Sequence, residues 1–299
     1  MAGEGVKMGY RVLVTGIGGP AGRSATRYFR GRGAFVIGAD VREVEEKADE
    51  FLTLTLATSP SFPEALLSLI RQRRPALFVP TVTEELLTVA RLKPEIEALG
   101  CAVFISSHAA VAIANDKFKT AVCMREGGVP VPKTLDGSCP REVVIQELGL
   151  PLLAKPVFGR GGRGVKVYNT DEEVMKEDRS GIIFQEFIPG VEFDVNLFVD
   201  KGGKEQAAVA LKKTALKEGI VGNATGVERV SKNDVVEVAR LASRLLTLEG
   251  PLDFDVRLRG DGSPALLEIN ARLGGNSLSA VEVLDALAEA FEKGCMGRD

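Results

Sequence analysis

The sequence lacks several features that would assign it to a broad functional class. It has no unbroken apolar run of membrane-spanning length and no signal-peptide core at its start. The cysteines form no close pair, which argues against a zinc knuckle or a redox motif and favours reduced thiols: they are Cys101, Cys123, Cys139 and Cys295. The single histidine, His108, excludes a histidine-rich metal site and leaves little support for a histidine-activated nucleophile. A net charge of −3 gives no electrostatic reason to expect a nucleic-acid partner. We therefore expect a cytoplasmic protein that binds neither membrane nor nucleic acid.

The pattern of strands and helices changes after residue 115. The chain has 299 residues, of which 45% are hydrophobic, and this suits two or three domains with substantial cores. Short β-rich runs alternate with helical segments through residue 115, which predicts an open parallel α/β sheet. From residue 116 the pattern is mixed α+β, so we expect a separate unit there.

A glycine-rich turn follows the first predicted strand and contains Gly16, Gly18 and Gly22, while Asp40 ends the next strand. The arrangement resembles a dinucleotide fingerprint, in which glycines admit a pyrophosphate and an acid holds a ribose. The spacing is neither G-x-G-x-x-G nor that of a P-loop, and no Tyr-x-x-x-Lys follows. A nicotinamide-dinucleotide site and a tight turn without a ligand both stay open.

A polar hairpin is predicted near the C-terminus. Asp261-Gly262 is a strong signal for a two-residue turn, and counting outward from it pairs Arg257 with Leu266 and Asp255 with Glu268. Alternation along the two strands separates an apolar face from a polar one. The apolar face has Phe254, Val256, Leu258, Leu267 and Ile269, and the polar face has Asp253, Asp255, Glu268 and Asn270.

Opposed carboxylates on this polar face call for a compensating charge. Like charges placed directly opposite each other destabilise a hairpin, whereas a divalent cation between them reverses the effect. Carboxylate and amide oxygens are suitable ligands for Mg²⁺. The alternative is a solvated polar face whose acids are neutralised by Arg257. Arg272 follows closely and offers a rigid donor suited to a phosphate group.

A second glycine-rich loop lies between two predicted strands, and its glycines are Gly159, Gly161, Gly162 and Gly164. Glycines lose much conformational freedom on folding, and this cost makes sense if backbone N–H groups close over a phosphate chain that Lys155 also reaches. The alternative is a flexible hairpin without a ligand.

A short segment downstream offers a nucleotide-base site. The backbone of Glu186, Phe187 and Ile188 could present one acceptor and one donor to adenine, and Glu192 could accept from ribose hydroxyls. The alternative is an ordinary strand that ends at Pro189-Gly190.

The order of these segments resembles the ATP-grasp superfamily. The matching segments are NDKFKT, PVPKT, LLAKPVFGRGGRGV, QEFIPGVEF and DFDVRL…ALLEINARLGGN. The first 115 residues resemble the pre-ATP-grasp domain of carbamoyl-phosphate-synthase-like ligases. The resemblance implies an α/β open parallel sheet followed by an α+β ATP-grasp fold. It also implies a Rossmann-like domain at 1–115, a small lid subdomain at 116–183 and a large subdomain with the metal-binding hairpin at 184–299.

The resemblance implies a role for each matching position. Lys117 and Lys155 would bind the ATP phosphates, and the loop from Gly159 to Gly164 would cover them. Gln185 and Glu186 would flank the hinge, which is the segment expected to contact adenine, and Glu192 would hold the ribose. Two Mg²⁺ ions, or Mn²⁺ in their place, would be held by Asp255, Glu268 and Asn270. Arg272 would contact the transferred phosphoryl group and, with Lys155, would be catalytic.

The function implied is an ATP- and Mg-dependent ligase that activates a small carboxylate as an acylphosphate for attack by an amine. The alternatives are a carbamoyl-phosphate-type phosphorylation of a carboxylate or carbamate, and a nucleotide-binding protein without turnover. The expected partners are a carboxylate, an amine and a second copy of the chain. Thr81 and Glu85 are candidate substrate contacts. The sequence departs from the family at Ala271, where proline is usual, and ends soon after Asn276.

Overall fold

The structure is a computed structural model that describes residues 9–216 and 224–296. The strands are β1 Arg11–Thr15, β2 Phe35–Asp40, β3 Glu50–Thr53, β4 Leu77–Val79, β5 Ala102–Val103, β6 Thr134–Asp136, β7 Leu152–Pro156, β8 Lys166–Tyr168, β9 Ile182–Glu186, β10 Glu192–Val199, β11 Glu205–Leu216, β12 Ala224–Val230, β13 Gly250–Leu258 and β14 Pro264–Asn270. The helices are α1 Pro20–Gly31, α2 Phe62–Arg73, α3 Leu86–Ala98, α4 His108–Asn115, α5 Lys117–Glu126, α6 Arg141–Leu148, α7 Asp171–Met175, α8 Asn233–Leu245 and α9 Val281–Met296. Short 3₁₀ turns lie at Thr83–Glu85 and Ser277–Ser279.

The first sheet is parallel and has the strand order β3-β2-β1-β4-β5. This confirms the open parallel sheet predicted from the alternation of strands and helices. The connections reverse direction between β1 and β4, and in such sheets the crevice at that point is the usual place for a ligand. The turn containing Gly16 and the segment around Thr81 follow these two strands.

The second sheet is antiparallel, with the order β6-β9-β7-β8. The second glycine-rich loop joins β7 to β8, as the sequence predicts. A domain boundary after residue 183 would fall inside β9, which pairs along its whole length with this sheet. The predicted domain limits otherwise stay predictions.

The third sheet is antiparallel, with the order β12-β11-β10-β13-β14. One of its faces packs into a large hydrophobic core through residues such as Val195, Phe254 and Ile269. The same core includes Leu13 and Phe78 of the first sheet. Helix α9 packs against β10, β11 and β13 of the third sheet, and its buried residues share a second hydrophobic cluster with residues of the first sheet. None of the helices in the described ranges is long and apolar enough to cross a membrane.

The β13–β14 hairpin differs from the prediction near its turn. The N–H of Arg259 donates to the Ser263 carbonyl at 2.8 Å, so the turn spans residues 260–262 rather than Asp261-Gly262 alone. Arg257 consequently pairs with Ala265 and not with Leu266. A β-bulge at Leu267 then restores the predicted pairing of Asp255 with Glu268. The predicted apolar face is corrected accordingly, because Leu266 and not Leu267 packs into the core.

Candidate functional site

Six polar residues form two rows across the three adjacent strands β10, β13 and β14. The pairing of these strands puts each row on one face of the third sheet, because residues directly opposite each other in a ladder share a face. The first row is Asp194, Asp255 and Glu268, and the second row is Asn196, Asp253 and Asn270. We call this set the polar grid.

Sequence analysis identified the four hairpin residues of the polar grid and missed the two on β10. Asp194 and Asn196 alternate along β10 with Phe193, Val195 and Leu197, which pack into the core on the other face. That alternation was a usable signal. Its meaning depends on β10 lying next to β13, and this long-range pairing is not visible in the local sequence.

A buried lysine that sequence analysis missed lies at one edge of the grid. Lys213 of β11 has its Nζ at 2.6 Å from Glu192 Oε1 and at 2.5 Å from Asp255 Oδ1. Burial acts to lower the pKa of Lys213, but the carboxylates of Asp255 and Glu192 outweigh it and hold the pKa above its usual range. Arg257 contacts the second oxygen of Glu192. Any ribose contact by Glu192 would therefore share a carboxylate already held by two cations.

Of the two lysines predicted to bind phosphates, Lys117 contacts the grid and Lys155 lies beside it. Lys117 Nζ lies 3.2 Å from Glu268 Oε1 and donates to the Gly159 carbonyl at 2.6 Å. Lys155 is buried, and its Nζ lies 3.4 Å from the carbonyl of Leu267, the bulged residue. Burial lowers the pKa of Lys155 to about 8, with Glu268 opposing the shift. The bulge thus presents a carbonyl to a site lysine.

The second glycine-rich loop is attached to its surroundings at both ends. Gly159, Gly161, Gly162 and Gly164 all have positive φ, which side chains other than glycine rarely tolerate. Lys117 holds the Gly159 carbonyl, and Arg179 donates to the Gly164 carbonyl at 2.6 Å. The structure therefore explains the glycines by backbone conformation and brings the loop to the lysines.

At the predicted hinge, several polar groups already have hydrogen-bond partners within the protein. The buried side chain of Gln185 donates to Thr134 Oγ1 at 2.9 Å, so it packs within the second sheet. The Glu186 N–H donates to the Lys133 carbonyl at 2.9 Å, and the Glu186 carboxylate contacts Arg259. A donor to adenine would therefore come from Phe187 or Ile188 and not from Glu186.

Arg272 bridges the grid and the first sheet. Its guanidinium lies 3.2 Å from Asp253 Oδ2, 3.0 Å from Asn270 Oδ1 and 3.4 Å from Thr83 Oγ1. It also donates to the Leu273 carbonyl at 2.7 Å. Burial and the neighbouring Asp194 raise the pKa of Asp253 well above its ordinary value. Arg272 is thus held at the edge of the grid that faces the first sheet.

The oxygen donors of the grid fit a hard cation. In the described part of the chain no three His, Cys, Asp or Glu side chains form a metal-binding group. The predicted set instead combines the carboxylates of Asp255 and Glu268 with the amide of Asn270, and Mg²⁺ accepts all of these oxygens. In this structure the carboxylates contact Lys213 and Lys117. The donor chemistry fits the predicted ion, and these three residues stay a predicted ligand set.

The candidate substrate contacts in the first sheet belong to a closed network. Glu85 is only 1% exposed, and its Oε1 accepts from Thr15 Oγ1 and from the N–H groups of Thr81 and Val82. Thr81 Oγ1 donates to the Thr15 carbonyl at 2.7 Å. The structure thus gives both side chains internal partners, and their proposed substrate contact is not supported.

The first glycine-rich turn is likewise internally bonded. The Asp40 carboxylate accepts from the N–H groups of Gly18 and Val41, at 2.9 and 2.8 Å. A Cβ on Gly22 would lie 2.2 Å from the Gly16 carbonyl oxygen, so this glycine is needed for close packing. The tight turn without a ligand accounts for these features.

Comparison with known proteins finds a matching domain family and several similar ligases. The sequence profile of the ATP-grasp domain matches residues 114–276, more than half of the chain. A D-alanine–D-alanine ligase of Aromatoleum aromaticum is 29% identical over 189 residues, which are 56% of this chain and 60% of the relative. A phosphoribosylamine–glycine ligase of Synechocystis sp. is 26% identical over 237 residues, which are 71% of this chain and 56% of the relative. The chain thus spans less than two thirds of these relatives.

Solved structures share the fold at low sequence identity. The N5-carboxyaminoimidazole synthetase of Staphylococcus aureus, complexed with ADP, matches with a TM-score of 0.71 and 14% identity over 93% of this chain and 74% of that one. The L-amino acid ligase of Bacillus licheniformis matches with a TM-score of 0.67 and 18% identity over 92% and 71%.

Proposed function

Because this chain belongs to the ATP-grasp family, we propose that it binds ATP with magnesium over the polar grid and activates a small carboxylate for attack by an amine. The observation that carries this proposal is the arrangement of the grid. Acidic and amide oxygens lie in two rows, and three cationic side chains contact them, namely Lys117, Lys213 and Arg272, while Lys155 contacts the neighbouring Leu267 carbonyl.

The nucleotide is proposed to lie between the second and third sheets. The loop from Gly159 to Gly164 would cover the phosphates, with Lys117 and Lys155 as their cationic partners. Lys213 is added to this set, because its amine lies beside a predicted metal ligand. The backbone of residues 186–188 would hold the base, and Glu192 the ribose.

Asp255, Glu268 and Asn270 are proposed to hold Mg²⁺, with Mn²⁺ as a substitute. When bound, the ion would neutralise phosphate charge and orient the transferred group. The lysines that now contact Asp255 and Glu268 would then be released to serve the phosphates.

The reaction proposed has two displacements. A carboxylate oxygen of the substrate attacks the γ-phosphorus, the bond to ADP breaks, and an acylphosphate forms. The amine then attacks the acyl carbon, phosphate leaves, and the amine nitrogen loses a proton. Lys155 and Arg272 would stabilise the negative charge on the transferred phosphoryl group, since phosphoryl transfer depends mainly on positioning and charge neutralisation.

A substrate screen tests this proposal. The protein is incubated with ATP, Mg²⁺ and a panel of amino and hydroxy acids, and ADP release is measured with and without amine donors. We expect ADP release that depends on one class of carboxylate and product formation that depends on an amine. ATP binding without ADP release across the whole panel would instead indicate a nucleotide-binding protein without turnover.

A carbamoyl-phosphate-type phosphorylation is the second candidate. It is favoured by the match to the carbamoyl phosphate synthase large chain of Thermus thermophilus, 24% identical over 169 residues, 52% of this chain and 16% of that protein. In this case an acylphosphate or carbamoyl phosphate would accumulate without any amine acceptor. Trapping the product with hydroxylamine in the absence of amines separates the two reactions.

A further inference from the structure

The two ends of the second glycine-rich loop are held by side chains of different kinds. At one end, Lys117 donates to the Gly159 carbonyl at 2.6 Å and also lies 3.2 Å from Glu268 Oε1, a predicted magnesium ligand. At the other end, Arg179 Nη1 donates to the Gly164 carbonyl at 2.6 Å. Arg179 belongs to the connection between α7 and β9. The first contact therefore involves the proposed site itself, whereas the second comes from a segment outside it.

The guanidinium of Arg179 is fixed by a buried carboxylate. The side chain of Glu177 is only 1% exposed. Its Oε1 accepts from Arg179 Nε at 2.8 Å, and its Oε2 accepts from Arg179 Nη2 at 2.7 Å. Two parallel hydrogen bonds between a guanidinium and a carboxylate fix the orientation of the arginine as well as its position. Nη1 is thereby directed at the loop.

Neighbouring segments hold Glu177 in turn. The Tyr168 hydroxyl on β8 donates to Glu177 Oε2, and Arg141 Nε at the start of α6 donates to the Glu177 carbonyl at 3.0 Å. The hydrogen bonds from Arg179 lower the pKa of Glu177 to about 2, so this carboxylate stays charged near neutral pH. The pair of Glu177 and Arg179 is therefore a permanent part of the second sheet and its connections.

Gly164 also packs closely against the strand that precedes the loop. Its φ is +74°, and a Cβ added to it would lie 3.0 Å from Pro156 Cγ at the end of β7. A side chain at this position would meet both the strained backbone conformation and the proline ring. The Gly164 end of the loop is thus confined by β7 on one side and by Arg179 through its carbonyl.

We propose that Arg179, held by Glu177, is a positioning residue that anchors the Gly164 end of the loop, so that the loop opens at its Gly159 end. Lys117 can leave the Gly159 carbonyl for a ligand, whereas Arg179 stays with its carboxylate. The consequence for the nucleotide rests on the proposed function. An anchored loop has less conformational freedom to lose when it closes over phosphates, and this strengthens binding.

Limited trypsin digestion of the full chain tests the anchor without nucleotide. The loop contains two residues after which trypsin cleaves, Arg160 and Arg163. Mass spectrometry follows cleavage after these residues relative to cleavage after Lys201, a 58% exposed side chain in the connection between β10 and β11. A general loss of stability would raise cleavage at all of these positions, whereas loss of the anchor should raise it in the loop alone.

Arg179→Lys is the decisive variant. Lysine keeps a positive charge beside Glu177, but it has one nitrogen where arginine uses three for Glu177 and Gly164. We expect cleavage in the loop to become about tenfold faster, because losing a hydrogen bond to a charged group shifts a local opening equilibrium by about this factor. A role limited to neutralising Glu177 predicts unchanged cleavage.

Lys176→Met is the matched control. Lys176 precedes Glu177 in the chain, and its exposed side chain pairs with Glu172 of α7 at 2.6 Å. We expect this variant to be cleaved in the loop at the unaltered rate. The anchor is overturned if Arg179→Lys is also cleaved at the unaltered rate, or if its cleavage after Lys201 rises in the same proportion as cleavage in the loop.

Calorimetric titration with ATP and Mg²⁺ separates the anchor from the proposed function. We expect Arg179→Lys to bind ATP about 3- to 10-fold more weakly, because its loop must be ordered on binding, and Lys176→Met to bind as the unaltered protein does. Unchanged ATP affinity in a variant with faster loop cleavage would overturn the positioning role of Arg179. If the unaltered protein bound no ATP, the proposed function would fail, and the trypsin result would still decide whether Arg179 anchors the loop.

Discussion

Two regions of the molecule bury carboxylates in opposite ways. In the 3₁₀ turn after β4, Glu85 accepts hydrogen bonds from its own segment and from Thr15 without any ligand. In the third sheet, the polar grid places Asp194, Asp253 and Asp255 together, and within the described residues the buried Asn196 Oδ1 and Asp253 Oδ1 accept no hydrogen bond. The difference separates a carboxylate that supports a loop from carboxylates that we propose to bind a cation or a substrate.

The two glycine-rich loops show the same contrast. The loop at Gly16–Gly22 is closed by its own hydrogen bonds and by Asp40. The loop at Gly159–Gly164 is held mainly by side chains of Lys117 and Arg179 that belong to other segments. A loop held by side chains from other segments is suited to close over a ligand. The contrast between the two loops and between the two groups of carboxylates leads to the following predictions.

The largest expected effect follows from Glu268→Gln. Removing one negative charge from the predicted metal set should lower the rate of ADP release by about 10³-fold, because a metal supplies several kcal/mol of charge stabilisation in phosphoryl transfer. Binding of ATP in EDTA should change little. Asp261→Asn serves as a control. Normal activity in Glu268→Gln would show that Glu268 is not needed for the reaction.

A smaller loss is expected from Lys155→Met. The amine is buried beside the grid, and removing a charge-assisted contact to phosphate should weaken ATP binding by about 10- to 100-fold. Lys166→Met in the same sheet is the matched control, because its side chain is 57% exposed. Isothermal titration calorimetry measures the ATP affinity of both variants and of the unaltered protein. An ATP affinity of Lys155→Met equal to that of the unaltered protein would contradict the proposed role of Lys155.

Glu85→Gln should alter stability and not nucleotide binding. Burial raises the pKa of Glu85 from 4.5 to about 7, opposed by hydrogen bonds from Thr15, Val82 and Thr81. The native state therefore favours the protonated acid, so its stabilisation is complete below pH 4.5 and is lost as pH rises through about 7. The glutamine keeps the acceptor and does not ionise.

Urea unfolding at pH 5 and pH 8 checks this expectation. The unaltered protein should lose more stability between these pH values than Glu85→Gln does, by up to about 3 kcal/mol. Glu84→Gln is the control, since its exposed carboxylate should leave the pH dependence in place. A pH dependence that is unchanged in Glu85→Gln would show that this carboxyl does not titrate in the window.

The smallest effect is expected from Arg160→Ala. Arg160 Nε lies 3.0 Å from Glu84 Oε1 and joins the second glycine-rich loop to the first sheet, but both side chains are more than a third exposed. Exposed ion pairs contribute about 0–1 kcal/mol. ATP affinity should therefore change less than about threefold, and a tenfold loss would mean that Arg160 contacts the nucleotide itself.

The sequence predicted the sheet types and the pairing of Asp255 with Glu268, because alternation and turn signals are local. It missed the bulge at Leu267, since an extra residue in a ladder leaves the local pattern nearly unchanged. It also missed Lys213 and Asp194, whose meaning depends on the order β11-β10-β13 in the sheet. The hydrogen bond from Thr15 to Glu85 could not be foreseen, because it depends on a contact between β1 and the segment after β4.

The most direct test of the account is a crystal structure of the protein with Mg²⁺ and a non-hydrolysable ATP analogue. We expect an ion about 2.0–2.1 Å from oxygens of Asp255, Glu268 and Asn270, with Lys213 and Lys117 moved from the carboxylates to the phosphates. A bound nucleotide with no ion at these residues, and with both lysines still on Asp255 and Glu268, would contradict it.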